Sequence, residues 1–162
     1  MVVPLFLLYD YTFRSAGTTK VESLARAHQA GVVCTDEYLL HPDPHPSREA
    51  WCAARIALSE QRLAERDPAL PTVLVNHFPL VREPTMVLRH PEFAQWCGTE
   101  RTADWHRRFD AAAAVYGHLH IPRTAWYDGI RFEEVSVGYP REWRPRGRQP
   151  RPRQVLPVPE PA

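Results

Sequence analysis

Three histidines directly follow apolar runs that are typical of buried strands. His77 comes after "TVLVN" at 72–76, and His118 and His120 come after "AAVYG" at 113–117. In open α/β sheets ligands gather at the carboxyl ends of the strands, so we expect the three imidazoles to share one site. Imidazole binds several transition metals, and the pattern therefore predicts a metal site.

The spacing of the last two histidines favours a site with two metal ions. In an extended segment residues i and i+2 point to the same side, with α-carbons about 6.6 Å apart. Paired ions in two-metal hydrolases lie about 3.5 to 4 Å apart, so His118 and His120 could each serve one ion. Taken alone, a histidine after a strand is more often exposed or hydrogen-bonded to the backbone. The recurrence at two strand ends is what favours a site.

Two stretches resemble a known enzyme family. "VLVNHFPL" at 73–80, followed about 40 residues later by "VYGHLHIPRTAWYDGIRFEEVSVGYP", resembles the carboxyl-terminal half of the calcineurin-like metallophosphoesterases. The opening "VVPLFLLYDYTF" is similar to the middle section of that family, and the resemblance covers most of residues 1–140. It implies an α/β fold, a two-sheet sandwich flanked by helices, of which this chain forms roughly the second half.

The resemblance also implies a reaction and its ligands. The family hydrolyses phosphoric esters at a binuclear centre of Mn, Fe or Zn, with a metal-bound hydroxide as the nucleophile. By the matching blocks, His77 and His118 would bind one metal ion and His120 the other. The class of phosphoester substrate does not follow from the sequence.

Several family blocks have no counterpart in this chain. Of the order D-x-H, G-D-x-x-D, G-N-H-D/E, lone His and G-H-x-H, only the last two occur. The bridging aspartate and the general acid would precede Met1, so no catalytic acid is identified, and we expect the chain alone to be inactive. Asp10, Asp36 and Glu37 supply carboxylates outside the family context. The alternative is a truncated, non-catalytic remnant that binds metal weakly or serves as an interaction module, and in-frame sequence upstream of Met1 would distinguish the two.

The other histidines fit surface positions better. His28, His90 and His106 have no partners at ligand spacing, and His41 and His45 belong to the proline-rich loop "HPDPHP".

Composition limits the class of protein. The 162 residues fit one domain, and the net charge of +1 argues against a nucleic-acid or membrane-surface partner. The three cysteines form neither a disulfide framework nor a CxxC zinc pattern, and no apolar run is long enough to span a bilayer. We expect a reduced, cytoplasmic location.

The elements that must hold the histidines are predicted by periodicity and by turn residues. An apolar stripe of Trp51, Ala54, Ile56, Leu58 and Leu63 predicts a helix that begins after Ser47. Asp128-Gly129 predicts a hairpin turn. The first predicted element is a buried strand at 2–9, and Pro4 favours a position near a strand start or an edge. The other predicted elements are helices at 18–30, 48–66 and 102–109, strands at 72–76 and 113–117, a loop at 81–100 and a hairpin at 123–138.

The composition changes sharply near residue 140. Residues 140–162 contain seven prolines and six arginines and carry a net charge of +4, against −3 for the rest. We therefore predict a phosphoesterase domain at 1–140 and a disordered Pro/Arg-rich tail at 141–162. A basic arm for nucleic acid or an acidic partner is the alternative.

Overall fold

The fold is a mixed five-stranded sheet flanked by helices, seen in a computed structural model that describes residues 1–147 and 151–157. The strand order is β1-β2-β3-β5-β4. The pairs β1–β2, β2–β3 and β3–β5 are parallel, and β4–β5 is antiparallel. The predicted α/β class is confirmed, whereas the second sheet of a sandwich is not among the described residues and stays a prediction. The strands are β1 Val2–Pro4, β2 Thr72–Val75, β3 Ala111–Tyr116, β4 Arg123–Tyr127 and β5 Ile130–Glu134.

The two central strands are apolar on both faces. Val73 and Leu74 of β2 are 6% and 0% exposed, and Ala113 and Ala114 of β3 are also buried. A parallel strand with neighbours on both sides buries both faces, which is why the alanine run of β3 is a strand although alanine favours helices. The predicted strand is confirmed, and it begins two residues earlier than expected.

The strand β1 lies at the edge of the sheet, as Pro4 indicated. Proline has no N–H for a ladder and is therefore found at edges and strand ends. The predicted strand at 2–9 is too long, because β1 ends at Pro4. Leu7, Leu8 and Tyr9 are buried but continue outside the strand.

Two of the predicted helices are confirmed with their caps. The helix α1 covers Lys20–Gln29, and Thr19 and Glu22 form a reciprocal capping box at its start. The helix α3 covers Arg48–Ala64, and the Ser47 hydroxyl accepts the N–H of Ala50 at 3.1 Å.

The buried face of α3 differs from the predicted stripe. Leu58 is 42% exposed and Ala54 is also exposed, so those parts of the prediction are wrong. The helix buries a narrower row at spacings of three and four residues, because only this row faces the core. The row consists of Cys52, Ile56, Ser59 and Leu63.

The described residues also form three short α-helices. The helix α2 at Asp36–Leu39 was not predicted, α4 at Trp105–Arg108 lies within the predicted helix at 102–109, and α5 covers Pro140–Trp143. Among the residues that the structure describes, no helix is both long and apolar enough to cross a membrane.

The prediction of a loop at 81–100 is wrong in part, because this segment contains 3-10 helices at Glu83–Val87 and Pro91–Trp96 and the start of another at Glu100–Thr102. It also buries Trp96 and Cys97. Gly98, with φ of +145°, allows the chain to pass Phe13 and the carbonyl of Pro79. The segment is therefore part of the core.

The predicted hairpin turn at Asp128-Gly129 is confirmed. Asp128 and Gly129 both have positive φ, as a two-residue primed turn requires.

The predicted surface position of His106 is wrong: the side chain is 2% exposed, and Nε2 lies 2.9 Å from Oδ2 of Asp128. The helix α4 packs on β3, next to β5, and the ring centroid of His106 lies 5.3 Å from that of Phe132 in β5.

The carboxyl-terminal segment contacts the sheet where the structure describes it. Arg153 lies 2.7 Å from Oε2 of Glu133, and Arg131 donates to the carbonyls of Gln154 and Val155. The prediction that 141–162 is disordered concerns motion and stays a prediction. Residues 148–150 and 158–162 of that segment lie outside the described residues.

Candidate metal centre

The three predicted histidines line one cleft at the carboxyl ends of β2 and β3. The register pairs Val75 with Val115, so the two strands end side by side. The cleft has a volume of about 370 Å³. It is lined by Val75, Asn76, His77, Val115, Tyr116, Gly117, His118, His120, Val135, Ser136, Val137 and Gly138.

His77 and His118 are in direct contact. Nε2 of His77 lies 3.1 Å from Nδ1 of His118. The backbone around His77 is held by Asn76, whose Oδ1 accepts the N–H of Leu7 and whose Nδ2 donates to the carbonyl of Phe78. The N–H of Gly117 donates to the carbonyl of His77 at 2.9 Å. The two strand ends are therefore joined beneath the imidazole pair.

The surroundings keep both imidazoles neutral. The ring of His118 packs against Phe78 and stacks on Phe93, with centroids 4.5 and 5.5 Å away. Burial lowers the pKa of His118 to about 3, and the charges of His77 and His120 add to this effect. Burial also lowers the pKa of His77, while Asp36 and Glu134 oppose this shift. A neutral imidazole is the form that binds a metal ion.

His120 reaches the cleft by a different route from the one expected. The alternation argument is wrong, because His118 and His120 have φ of +71° and +56°. The N–H of Leu119 donates to the carbonyl of Gly117, so the segment is tightly turned and not extended. His120 nevertheless lines the same cleft, with Nδ1 3.0 Å from Oε2 of Glu142.

The imidazole pair fits one part of a metal site. Metal–nitrogen bonds of about 2.0 to 2.1 Å place two nitrogens on one ion about 2.8 to 3.4 Å apart, for bond angles from right to tetrahedral. The observed 3.1 Å agrees with this range. With Nδ1 of His118 on an ion, the buried Nε2 would carry the proton, and it has no hydrogen-bond partner in the described part of the chain. Residues 1–147 and 151–157 contain no group of three or more His, Cys, Asp or Glu side chains that could hold an ion.

The carboxylates considered from the sequence have other partners. Oε1 of Glu37 accepts the Tyr11 hydroxyl at 2.7 Å and the Trp96 N–H at 2.8 Å. Asp10 accepts the hydroxyls of Thr12 and Thr99. These contacts connect loops. Of the three carboxylates considered from the sequence, Asp36 is the one whose charge affects the site, where it raises the pKa of His77 against the effect of burial.

Two carboxylates at the site were missed. Glu142 contacts His120, and Glu134 at the end of β5 is fully buried, with Oε1 unpaired among the described residues. A signal for Glu142 was present in "YPRE", where Pro140 can begin a helix and Glu142 occupies its third position. Alternation along β5 puts Glu134 on the same face as Phe132, which is apolar. A carboxylate on an apolar face of a strand indicates a buried charged group, and this was a signal for Glu134.

Comparisons with known proteins identify one strong similarity. No known protein family matched the sequence. The chain is 59% identical to "[Acyl-carrier-protein] phosphodiesterase PptH" of Mycobacterium tuberculosis over 160 residues. This alignment covers 98% of this chain and 49% of that protein. The crystal structure of phosphopantetheinyl hydrolase (PptH) from the same organism has a TM-score of 0.93, over 99% of this chain and 57% of that one.

The chain thus spans about half the length of the relative that it matches. Over almost all of its own length, it is similar in sequence and in fold to a part of a phosphoric ester hydrolase.

Proposed function

We propose that this chain is part of a calcineurin-like metallophosphoesterase and supplies ligands to a binuclear metal centre. The contact between His77 and His118 at the carboxyl edge of the sheet carries this proposal, because two neutral imidazoles 3.1 Å apart suit one shared ion. His120, in the same cleft, would bind the second ion. The second sheet of the sandwich belongs to this proposal as well.

The chain's own residues would hold and shield the ions. His77 and His118 provide two nitrogens, and Phe78 and Phe93 keep solvent from the His118 ring. When bound, such ions lower the pKa of water and polarise a phosphoryl oxygen. Two neighbouring cations repel strongly and need a carboxylate between them. The charges of Asp36 and Glu134 reach His77, but the described residues form no group of three or more metal ligands. We propose that another part of a longer protein provides the bridging carboxylate.

The proposed substrate is a phosphodiester on an acyl carrier protein. The M. tuberculosis relative is named for this activity, and its structure is described as a phosphopantetheinyl hydrolase. The identity of 59% over 98% of this chain supports transfer of the substrate class. We therefore propose hydrolysis of the phosphodiester that joins a phosphopantetheinyl group to its carrier protein.

The test compares the 162-residue chain with a full-length relative that contains the same histidines. Each is incubated with phosphopantetheinylated carrier protein and Mn²⁺, and the intact mass of the carrier protein is followed. We expect the full-length protein to release the phosphopantetheinyl group, and replacement of the residue equivalent to His118 by alanine to stop the release. The residue equivalent to the exposed His28 serves as the control.

A non-catalytic metal-binding role is the second candidate. The absence of a three-ligand group in the described residues favours it for the chain alone. If the full-length protein binds metal at these histidines but releases nothing from carrier protein and hydrolyses no aryl phosphodiester, the enzymatic proposal is wrong.

A further inference from the structure

We infer that Glu142 is a positioning residue that fixes the ring of His120 for metal binding. The inference rests on the proposed function, since it concerns the same cleft. Oε2 of Glu142 lies 3.0 Å from Nδ1 of His120, and the two side chains are 32% and 31% exposed. The contact is thus at the rim of the cleft and partly shielded from water.

The position of Glu142 is set by its own short helix. Pro140 is the first residue of α5, and Oε2 of Glu142 accepts the N–H of Tyr139 at 2.8 Å. The ring of Tyr139 packs edge-on against His120, with centroids 4.9 Å apart, and Arg141 lies over its other side. The helix therefore brings a carboxylate and an aromatic ring to the same imidazole.

Gly138 favours this arrangement. A Cβ at this position would clash with Oε2 of Glu142, and the residue has φ of +74°. A side chain there would be strained by the backbone conformation and would force the Glu142 carboxylate to move. Glycine at position 138 therefore leaves the carboxylate free to contact His120.

The contact determines which nitrogen of His120 is available. Two lone pairs facing each other at 3.0 Å would repel, so a proton must reside on Nδ1. The neutral ring then carries its free lone pair on Nε2, the nitrogen left for an ion. Carboxylates that hold the second nitrogen of a ligating histidine commonly fix its tautomer and its orientation.

The first test reads the tautomer directly. Long-range ¹H–¹⁵N spectra of the ¹⁵N-histidine-labelled chain at pH 8 distinguish Nδ1–H from Nε2–H, and His120→Ala identifies the signal. We expect Nδ1–H in the wild type and in Glu142→Gln, whose amide oxygen can still accept. Glu142→Ala and Gly138→Ala should convert His120 to the Nε2–H form that a free side chain prefers. Arg141→Ala, on the same helix, should leave the tautomer unchanged.

The second test measures affinity. Loss of an outer-shell partner typically weakens metal binding about 10- to 100-fold. In Zn²⁺ titrations of a full-length relative with the same residues, alanine at the position equivalent to Glu142 should weaken the His120 site by such a factor and leave the His77–His118 site unaffected. An Nε2–H form of His120 in the wild-type chain, or an unchanged zinc affinity in this variant, overturns the inference. If the full-length relative binds no zinc while the chain shows the expected tautomers, the metal site is refuted, and with it the role of Glu142 in metal binding, while the contact itself is confirmed.

Discussion

Nε2 of His77 and Nδ1 of His118 lie 3.1 Å apart, although 41 residues separate them in the sequence. The parallel pairing of β2 with β3 creates this contact, because both strands end at the same edge. The pair is therefore a product of the sheet topology. Any variant that shifts the register of either strand should separate the two nitrogens.

The first prediction concerns metal content. In a full-length relative that contains the same histidines, alanine at the positions equivalent to His77 and His118 should in each case remove the same bound ion. Alanine at the position equivalent to His120 should remove the other ion. Since outer-shell changes already cost about 10- to 100-fold in affinity, loss of a ligand should cost at least that much. Elemental analysis after dialysis against Zn²⁺ or Mn²⁺ measures this, and alanine at the position equivalent to His28 is the matched control. If all three site variants retain the wild-type metal content, the assignment of these histidines is wrong.

Activity of the chain alone should be low. We expect at best weak binding of Zn²⁺ or Mn²⁺ and no phosphodiesterase or phosphatase turnover above background, because the described residues supply too few ligands. Hydrolysis of a generic aryl phosphate ester, with and without added metal, measures this. Robust metal-dependent turnover by the 162-residue chain would contradict the prediction.

Local signals in the sequence predicted several helices, strands and turns. The burial of individual side chains depends on tertiary packing and was predicted less well. The Ser47 cap, the Asp128-Gly129 turn and the apolar run of β3 depend on neighbouring residues, and all three are confirmed. The burial of His106 and the exposure of Leu58 depend on which elements meet, which a single sequence does not encode locally.

The candidate site was predictable only in part for the same reason. Histidines after strands indicated a shared edge, and the structure confirms that the three line one cleft. The left-handed backbone at His118 and the approach of Glu142 to His120 depend on tertiary contacts. Alternation along a strand could not reveal either, because the strand has already ended at Tyr116.

A third prediction concerns the ion-pair network on the sheet. Glu133 is fully buried and contacts Arg131 and Arg153. Arg131→Ala should lower the free energy of unfolding by about 3 kcal/mol, because it leaves a buried carboxylate with fewer partners. Urea unfolding measures the change. Arg26→Ala, at an exposed position of α1, should change stability by less than about 0.5 kcal/mol; equal effects would contradict the prediction.

The same network predicts acid sensitivity. Burial alone would raise the pKa of Glu133, but Thr124, Arg153 and Arg131 outweigh it and hold the pKa below its ordinary value. A lowered pKa in the folded state stabilises the protein above the unfolded pKa of about 4.3, and this stability is lost as the pH falls through the folded pKa. Unfolding of the wild type and of Glu133→Gln should differ most at pH 7 and progressively less toward pH 3. A difference that does not depend on pH would contradict this.

Gly98 should tolerate no side chain. A Cβ there would lie 2.8 Å from the Pro79 carbonyl oxygen and 2.9 Å from the Phe13 ring. Gly98→Ala should destabilise the fold by more than the roughly 1 to 3 kcal/mol of a strained backbone. Gly17→Ala, where φ is also positive but nothing lies within 4 Å, provides the control in thermal or urea unfolding. Equal losses in the two variants would show that the close approach is unimportant.

The edge of β1 should promote self-association. Val2 and Phe6 are 65% and 49% exposed beside an edge that has no strand partner among the described residues. We expect the isolated chain to aggregate or to unfold at low denaturant, since open apolar edges pair with other chains. Val2→Lys should reduce aggregation in light scattering, whereas Val21→Lys, on α1 and 76% exposed, should not. A monodisperse wild-type chain that unfolds cooperatively above about 60 °C, at the top of the usual mesophilic range, would contradict this.

The positive φ angles of His118 and His120 reduce the stability of the fold. Outside glycine, the left-handed conformation costs about 1 to 2 kcal/mol per residue. Two such residues within three positions take up a substantial share of the 5 to 15 kcal/mol that stabilises a typical domain. Glycine at either position would relieve this strain at the loss of one imidazole. The turn that brings both rings to the cleft is therefore formed at the expense of stability.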